Sequence, residues 1–153
     1  MKKRNLLDRL SLGSVICAEG FLFEAERRGY LASGEFVPEL ALECPEALRN
    51  IHKDFQHAGS DVVEAFTYYA HREKLRQIGK ESLLEPMNRQ ALQIAKEVAK
   101  TFIKDRAGDR LGIIVFAGES YIQCPLTRDI DVLLQFTDEI DIIDREHDGT
   151  AIG

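Results

Sequence analysis

Residues Pro86–Ala117 read PMNRQALQIAKEVAKTFIKDRAGDRLGIIVFA, and this stretch decides the predicted fold. Its first part has apolar side chains about every 3.6 residues, the spacing of a helix with one buried face. This stripe consists of Met87, Ala91, Ile94, Ala95, Val98, Phe102 and Ile103. Gly108 ends the predicted helix, and Leu111–Ala117 is a continuous apolar run typical of parallel strands covered on both faces. The stretch therefore predicts a helix that packs on a sheet and leads into a buried strand.

Toward the N-terminus the sequence predicts two more strands with helices after them. Ser14–Ala18 is a short apolar run that fits a buried strand, and Phe21–Gly29 starts a helix that its last glycine can end. Pro38–His57 has apolar residues at helical spacing, begins with a proline suited to the first helical position, and is broken in two by Pro45. Asp61–Tyr69 is rich in β-branched and aromatic residues and is predicted to be the second strand.

Toward the C-terminus, Asp129–Thr137 is predicted to be helical with Val132, Leu133 and Phe136 facing inward. Ile140–Ile143 fits either a strand or a loop. Alternation of strands and helices is the pattern of an α/β protein whose crossovers are right-handed. We therefore expect a small, open, mostly parallel sheet of roughly three or four strands with covering helices.

Composition limits the classes of function. Apolar residues make up 44% and charged residues 30% of the chain, as in ordinary globular proteins. The net charge of −6 argues against a nucleic-acid binder, which needs a basic face. No apolar run reaches the roughly 18 residues of a membrane helix, and none of signal-peptide length follows the basic start, so we expect a cytoplasmic protein. The three cysteines are far apart and are expected to stay reduced.

Candidate site residues follow the first two predicted strands, where parallel α/β proteins collect their chemistry. Glu19 and Gly20 follow the first strand, and Thr67, Tyr68 and Tyr69 lie near the end of the second. For both groups a purely structural role is the alternative interpretation. A carboxylate at a helix start is favoured by the helix dipole, and tyrosines pack well on strands.

A resemblance to a known family sharpens this interpretation. Residues 7–98, with the motifs RRGY, CPEA, AGSDV and FTYYA, are similar to the N-terminal part of the betaine–homocysteine S-methyltransferase family. The resemblance implies the start of a (β/α)₈ barrel and methyl transfer to the thiol of homocysteine. It places Glu19 and Gly20 in the loop of the amino-acid site, although Cys17 and Ala18 depart from the family's commoner glycine–aspartate pair. It places Tyr69, beside Tyr68, at the methyl-donor pocket, where aromatic faces attract a quaternary ammonium group.

The resemblance also implies a zinc ion that activates the homocysteine thiol. Its ligands in the family are cysteines from later strands, including an adjacent pair. Cys17, Cys44 and Cys124 do not match those positions, so no zinc ligand is carried over. The sequence therefore predicts a member of this family that is inactive as this chain.

A second resemblance starts in the same helix. Residues 91–153, with GDRLGIIVFAGESY and DGTAIG, are similar to a von Willebrand factor A domain of the bacterial aerotolerance-operon type. This family is doubly wound and binds Mg²⁺ through an Asp-x-Ser-x-Ser loop, a threonine and an aspartate. Only Thr150 matches, and Glu81–Asn88 lacks the serine loop, so the Mg²⁺ site is incomplete. The alternative interpretation of Thr150 is structural: its hydroxyl belongs to a turn or caps a helix.

The two resemblances together predict a chimera. Residues 1–98 form a partial barrel segment, residues 91–153 a partial von Willebrand A-like segment, and residues 86–106 the helix that both share. Three hypotheses follow: a homocysteine methyltransferase-family chain, a Mg²⁺-dependent protein-binding module, or a recombined reading frame without evolved activity. Unpaired strand edges are expected to favour self-association.

Overall fold

A computed structural model of the chain describes residues 10–11, 13–32, 34, 37–116 and 120–142. The chain divides into two compact units, Val15–Val98 and the residues Met1–Ser14 together with Ala99–Gly153. Within the described ranges most residues are helical, and the sheet consists of two strands. The protein is therefore mixed α/β, and the predicted open, mostly parallel sheet is wrong.

Within the described ranges, four helices of the unit Val15–Val98 precede the long helix predicted above. They are α1 (Phe21–Arg27), α2 (Leu40–Glu43), α3 (Pro45–His57) and α4 (Arg72–Gln77). Helix α1 follows Gly20, whose φ of 81° turns the chain into the helix, and it ends before Gly29, whose φ is 77°. The predicted helix after the first apolar run is confirmed, whereas α4 was not predicted.

The predicted break at Pro45 is confirmed, because Pro45 is the first residue of α3. The predicted start at Pro38 is wrong. The first helical hydrogen bonds of α2 run from the amides of Leu42 and Glu43 to the carbonyl oxygen of Glu39, at 2.9 and 3.0 Å. Pro38 therefore lies before the helix, and Glu39 takes the N-cap position.

Helix α5 (Leu84–Asp105) follows a short 3₁₀ turn at Glu81–Leu83 and confirms the predicted helix, starting two residues earlier than Pro86. Its apolar stripe is buried as predicted, except that Phe102 is half-buried. Ala91 and Ile94 join the main core of the unit Val15–Val98, which also contains the fully buried Leu48 and Ile51 of α3.

Where two strands were predicted in this unit, the structure has one parallel bridge between Cys17 and Val62. The amide of Ala18 donates to the carbonyl of Val62 at 3.2 Å, and the amide of Val62 donates to the carbonyl of Ile16 at 3.3 Å. Beyond the bridge the second segment leaves the ladder, because the amide of Thr67 bonds within its own segment to Ala65. Ser14–Ala18 and Asp61–Tyr69 are thus wrong as full strands, while their parallel direction is retained at the bridge.

In the other unit, β1 (Leu111–Phe116) pairs antiparallel with β2 (Ser120–Thr127). The prediction of a parallel strand covered on both faces is wrong. Ile114 and its partner Ile122 are 63% and 68% exposed, while Leu111 and Ile113 pack against the buried cluster on the opposite face. A nearby partner segment costs little loop-closure entropy, so the hairpin forms in preference to a crossover.

Helix α6 (Ile130–Glu139) confirms the predicted helix and closes the described part of this unit. Asp129 is its N-cap, and one carboxylate oxygen accepts a 3.1 Å hydrogen bond from the amide of Val132. Leu133 is fully buried, and the predicted inward residues Val132 and Phe136 pack beside it. Residues 140–142 form neither strand nor helix. None of the helices in the described ranges is long and apolar enough to cross a lipid bilayer.

Candidate functional site

A cleft of about 370 Å³ lies in the unit Val15–Val98, between the residues after Cys17 and those after Val62. The parallel bridge places these two segments side by side, so that the residues beyond it emerge at one end. The cleft is lined by Glu19, Gly20, Phe21, Leu22, Phe23, Glu64, Ala65, Phe66, Thr67 and Tyr68. Its size is within the range of small-molecule sites.

The structure brings together four of the residues that the sequence singled out. Glu19, Gly20, Thr67 and Tyr68 all line the cleft. Tyr69 does not line it, but its ring lies 4.2 Å from that of Tyr68. Thr150, predicted as a weak Mg²⁺ ligand, lies outside the described residues.

The two tyrosines differ in what already contacts them. Tyr69 has a φ of 57°, a left-handed conformation that is costly for a non-glycine residue. The ammonium of Lys74 lies 4.7 Å from the centre of the Tyr69 ring, which therefore already holds a cation. A hydrogen bond to Tyr69, with smaller contributions from desolvation and charge, raises the pKa of Tyr68. Tyr68 is 43% exposed and is the tyrosine that faces the cleft.

Buried aromatic side chains support the cleft. Phe21 and Phe66, both cleft residues, have ring centres 5.6 Å apart and are almost fully buried. Phe21 also contacts His52 and Phe55, at 4.7 and 5.0 Å. This cluster anchors both cleft segments to helix α3, so the site rests on the core of its unit.

His52 is buried in that cluster. It is 2% exposed, and neither ring nitrogen has a hydrogen-bond partner among the residues that the structure describes. Burial lowers the pKa of His52 to about 4. The imidazole is therefore neutral near pH 7 and acts as an aromatic packing residue.

At the acidic end of the cleft, the carboxylates of Glu19 and Glu64 line the cleft, and the thiol of Cys17 lies beside them. The Sγ atom of Cys17 and carboxylate oxygens of Glu19 and Glu64 all lie within 4.8 Å of one another. Loss of hydration raises the pKa of Cys17, and the charges of Glu64 and Glu19 raise it further. Loss of hydration also raises the pKa of Glu64, despite a hydrogen bond from the Cys17 thiol that opposes the shift.

Sequence reasoning missed Cys17 and Glu64 as site residues. Cys17 was expected to be an ordinary reduced thiol, and Glu64 was one residue of a predicted strand. The signal was the register of the two strands: if Cys17 pairs with Val62, residues 19 and 64 fall opposite each other. A single sequence does not give that register.

The three cysteines do not fit the cysteine-ligated zinc that the resemblance implies. Among the described residues, the group able to hold a metal contains Cys17 and neither Cys44 nor Cys124. Cys44 is half-buried before α3, and Cys124 is buried in β2 beside Leu133. Burial and the charge of Asp129 raise the pKa of Cys124, which disfavours the thiolate that zinc needs. No catalytic step through such a zinc follows from these residues.

Known proteins resemble the part of the chain that contains the cleft. Betaine–homocysteine S-methyltransferase 1 of Danio rerio is 42% identical over 100 residues, which cover 63% of this chain and 25% of the relative. The protein of that name from Rattus norvegicus is 42% identical over 102 residues, with the same two shares. The one from Sus scrofa is 41% identical over 102 residues, which cover 63% of this chain and 37% of the relative. The chain thus spans between a quarter and just over a third of the length of these relatives.

The family model for homocysteine S-methyltransferases matches residues 18–125. The match contains both cleft segments and continues through helix α5 into β2. It therefore also covers residues 99–125, beyond the predicted junction, and the change to a second family there stays a prediction. Because the match covers well over half of the sequence, the chain belongs to the homocysteine S-methyltransferase family.

Proposed function

We propose that the cleft is the substrate-facing surface of a homocysteine S-methyltransferase and binds ammonium groups of its substrates. The observation that carries this proposal is the chemistry of the lining. Two carboxylates and an exposed tyrosine ring line the cleft, and none of its described lining residues is cationic. Such a surface attracts positive charge, which homocysteine carries on its α-amino group and betaine on its quaternary nitrogen.

The carboxylates of Glu19 and Glu64 are the proposed partners of the homocysteine ammonium. Both side chains are exposed at the cleft, and neither forms an ion pair with another described residue. An ammonium bound beside both carboxylates adds attraction that offsets their mutual repulsion, which favours binding. The neighbouring Thr67 offers a hydroxyl at the same cleft.

The ring of Tyr68 is the proposed partner of the quaternary ammonium. A tyrosine face attracts a cation by roughly 0.5–1 kcal/mol at an exposed site. Tyr69, which the resemblance places at the donor pocket, already has the Lys74 ammonium over its ring. We therefore assign the direct contact to Tyr68 and a supporting position to Tyr69. The exposed ring of Phe23, also in the lining, adds apolar surface for the methyl groups.

Binding without turnover is the activity that we propose for the chain by itself. Methyl transfer in this family is commonly zinc-dependent, and the cysteines of this chain do not assemble a thiolate-rich site among the described residues. A homocysteine thiol in the cleft would then lack the zinc held by several cysteines that lowers its pKa. The expected result is measurable binding of either substrate without methionine formation.

The test is a titration of the purified chain with betaine, in which calorimetry or nuclear magnetic resonance measures the affinity. Tyr68→Leu removes the ring and is expected to weaken binding roughly two- to fivefold, whereas Tyr68→Phe keeps the ring and the affinity. Tyr30→Leu is a matched control, because Tyr30 is equally exposed, at 42% against 43%, and lies outside the cleft. Equal affinities for the Tyr68→Leu variant and the wild type would refute the assignment.

The hypotheses of a Mg²⁺-dependent binding module and of a recombined frame remain alternatives based on sequence. They are separated from the proposed function by two measurements on the same sample. Capture of a protein partner that requires Mg²⁺ would favour the first. Absence of betaine, homocysteine and Mg²⁺ binding in a cooperatively folded chain would favour the second.

A further inference from the structure

We propose that Cys17, Glu19 and Glu64 form a binding site for a divalent cation of the zinc type. This inference goes beyond the proposed substrate binding but uses the same carboxylates of Glu19 and Glu64, so an ion bound there would compete with the homocysteine ammonium. It concerns a different donor set from the cysteines that the family resemblance implies. It rests on the convergence of three ligating side chains from two separate segments of the chain.

The backbone explains why these three side chains converge. Glu19 lies two residues after Cys17, which forms the bridge with Val62. Glu64 follows Val62, the bridge partner of Cys17, by the same two residues. The bridge thus aligns Glu64 with Glu19 across the two segments, with Cys17 beside them.

The distances allow a single ion to contact all three groups. The ligand atoms lie within 4.8 Å of one another. Donors at about 2.0–2.3 Å from a tetrahedral zinc are roughly 3–4 Å apart. Rotation of the exposed glutamate side chains can move their carboxylate oxygens by about 1 Å, which closes that difference, so the backbone need not move.

Charge favours a cation at this position. Two carboxylates and a thiol crowd together, and no lysine or arginine of the described residues pairs with them. The cleft that they border contains no described cationic side chain either. A divalent ion would neutralise this group, and coordination would release the thiol proton of Cys17 to solvent.

The donor types favour zinc over magnesium. Thiolate is a soft ligand that suits Zn²⁺, Co²⁺ and Cd²⁺, whereas Mg²⁺ prefers an octahedral set of oxygens. Three protein ligands also leave a fourth position for water, as in open zinc sites. We therefore expect added Zn²⁺ to displace bound Co²⁺. Added Mg²⁺ should not displace bound Co²⁺.

The test is a titration of the full chain with Co²⁺ alone, in the absence of homocysteine and betaine. The readout is the thiolate-to-cobalt charge-transfer absorbance. We expect one Co²⁺ per chain and a thiolate band. Cys17→Ser should abolish the band, and Glu64→Gln should weaken Co²⁺ binding about tenfold or more, since a ligand is lost. The controls are Cys44→Ser, a half-buried thiol outside the group, and Glu26→Gln; both should bind like the wild type.

Circular dichroism of each variant establishes that it is folded before the titration is interpreted. Absence of a thiolate band in the wild type would overturn the proposal, as would a band that survives Cys17→Ser or disappears in Cys44→Ser. Tyr68→Leu should keep the cobalt band. Betaine binding that is two- to fivefold weaker in that variant, with an unchanged band, therefore separates the proposed function from the metal site.

Discussion

The unit Val15–Val98 and the unit that contains Ala99–Gly153 use strand-like apolar segments in opposite ways. In the first, two segments 45 residues apart meet in one parallel bridge, and the residues beyond it form an acidic cleft. In the second, two adjacent segments form an antiparallel pair with an exposed isoleucine on each strand. None of the lining residues of the described cleft comes from the second unit.

The difference shows what decides strand pairing here. Apolar composition alone predicted the same parallel arrangement for all three segments. The connection decided the outcome, because helices α1 to α3 separate the first two segments and a short link joins β1 to β2. Chemistry gathers at the bridge because distant parts of the sequence meet there.

The largest expected effect comes from the core under the cleft. Ile51→Ala removes a fully buried side chain of the main core and should lower the free energy of unfolding by about 2–5 kcal/mol. Ile122→Ala, in the other unit, changes the same residue type at 68% exposure and should change it by less than about 0.5 kcal/mol. Urea unfolding followed by circular dichroism measures both. Equal losses would mean that the comparison of the two isoleucines is wrong.

A smaller effect is expected from His52, whose pKa burial lowers to about 4. In the unfolded chain a histidine takes up its proton near pH 6.5, whereas folded His52 remains neutral down to about pH 4. Stability should therefore fall as the pH falls from 6.5 to about 4, by about 3 kcal/mol from this group, with no contribution above 6.5.

Unfolding measured across this pH range tests the sign. His52→Leu should flatten this part of the stability profile. His57→Leu, which changes an exposed histidine of the same helix, should leave the slope in place. A slope that His57→Leu removes and His52→Leu retains would contradict the account.

The smallest expected effect concerns self-association through β1 and β2. Ile114 and Ile122 are partners in register and form an exposed apolar pair beside the strand edges. Ile122→Lys should weaken self-association about tenfold, because a charge at a strand surface opposes pairing between copies. Sedimentation across a concentration series measures it. Ile78→Lys, at an exposed position in the other unit, serves as the control, and an equal effect of both variants would exclude the strand pair as the contact.

Local patterns predicted most of the helices, although they missed α4 and placed one helix start wrongly at Pro38. The spacing of Ala91, Ile94 and Val98 fixed the buried face of α5, and Asp129 and Pro45 fixed helix starts, because capping and proline geometry act within one turn. Strand pairing was predicted poorly, since it depends on contacts far apart in sequence. Position at the ends of the predicted strands led to Glu19 and Tyr68, and the resemblance supported them, whereas Cys17 and Glu64 required the register of the bridge.

Chemical-shift mapping with betaine on the isotopically labelled chain tests the central claim most directly. The account predicts that the perturbed backbone amides cluster at residues 19–23 and 64–68, with none at 111–127, because the cationic ligand binds where the two segments emerge from the bridge. Perturbations centred on the antiparallel strands, or none at saturating betaine, would contradict it.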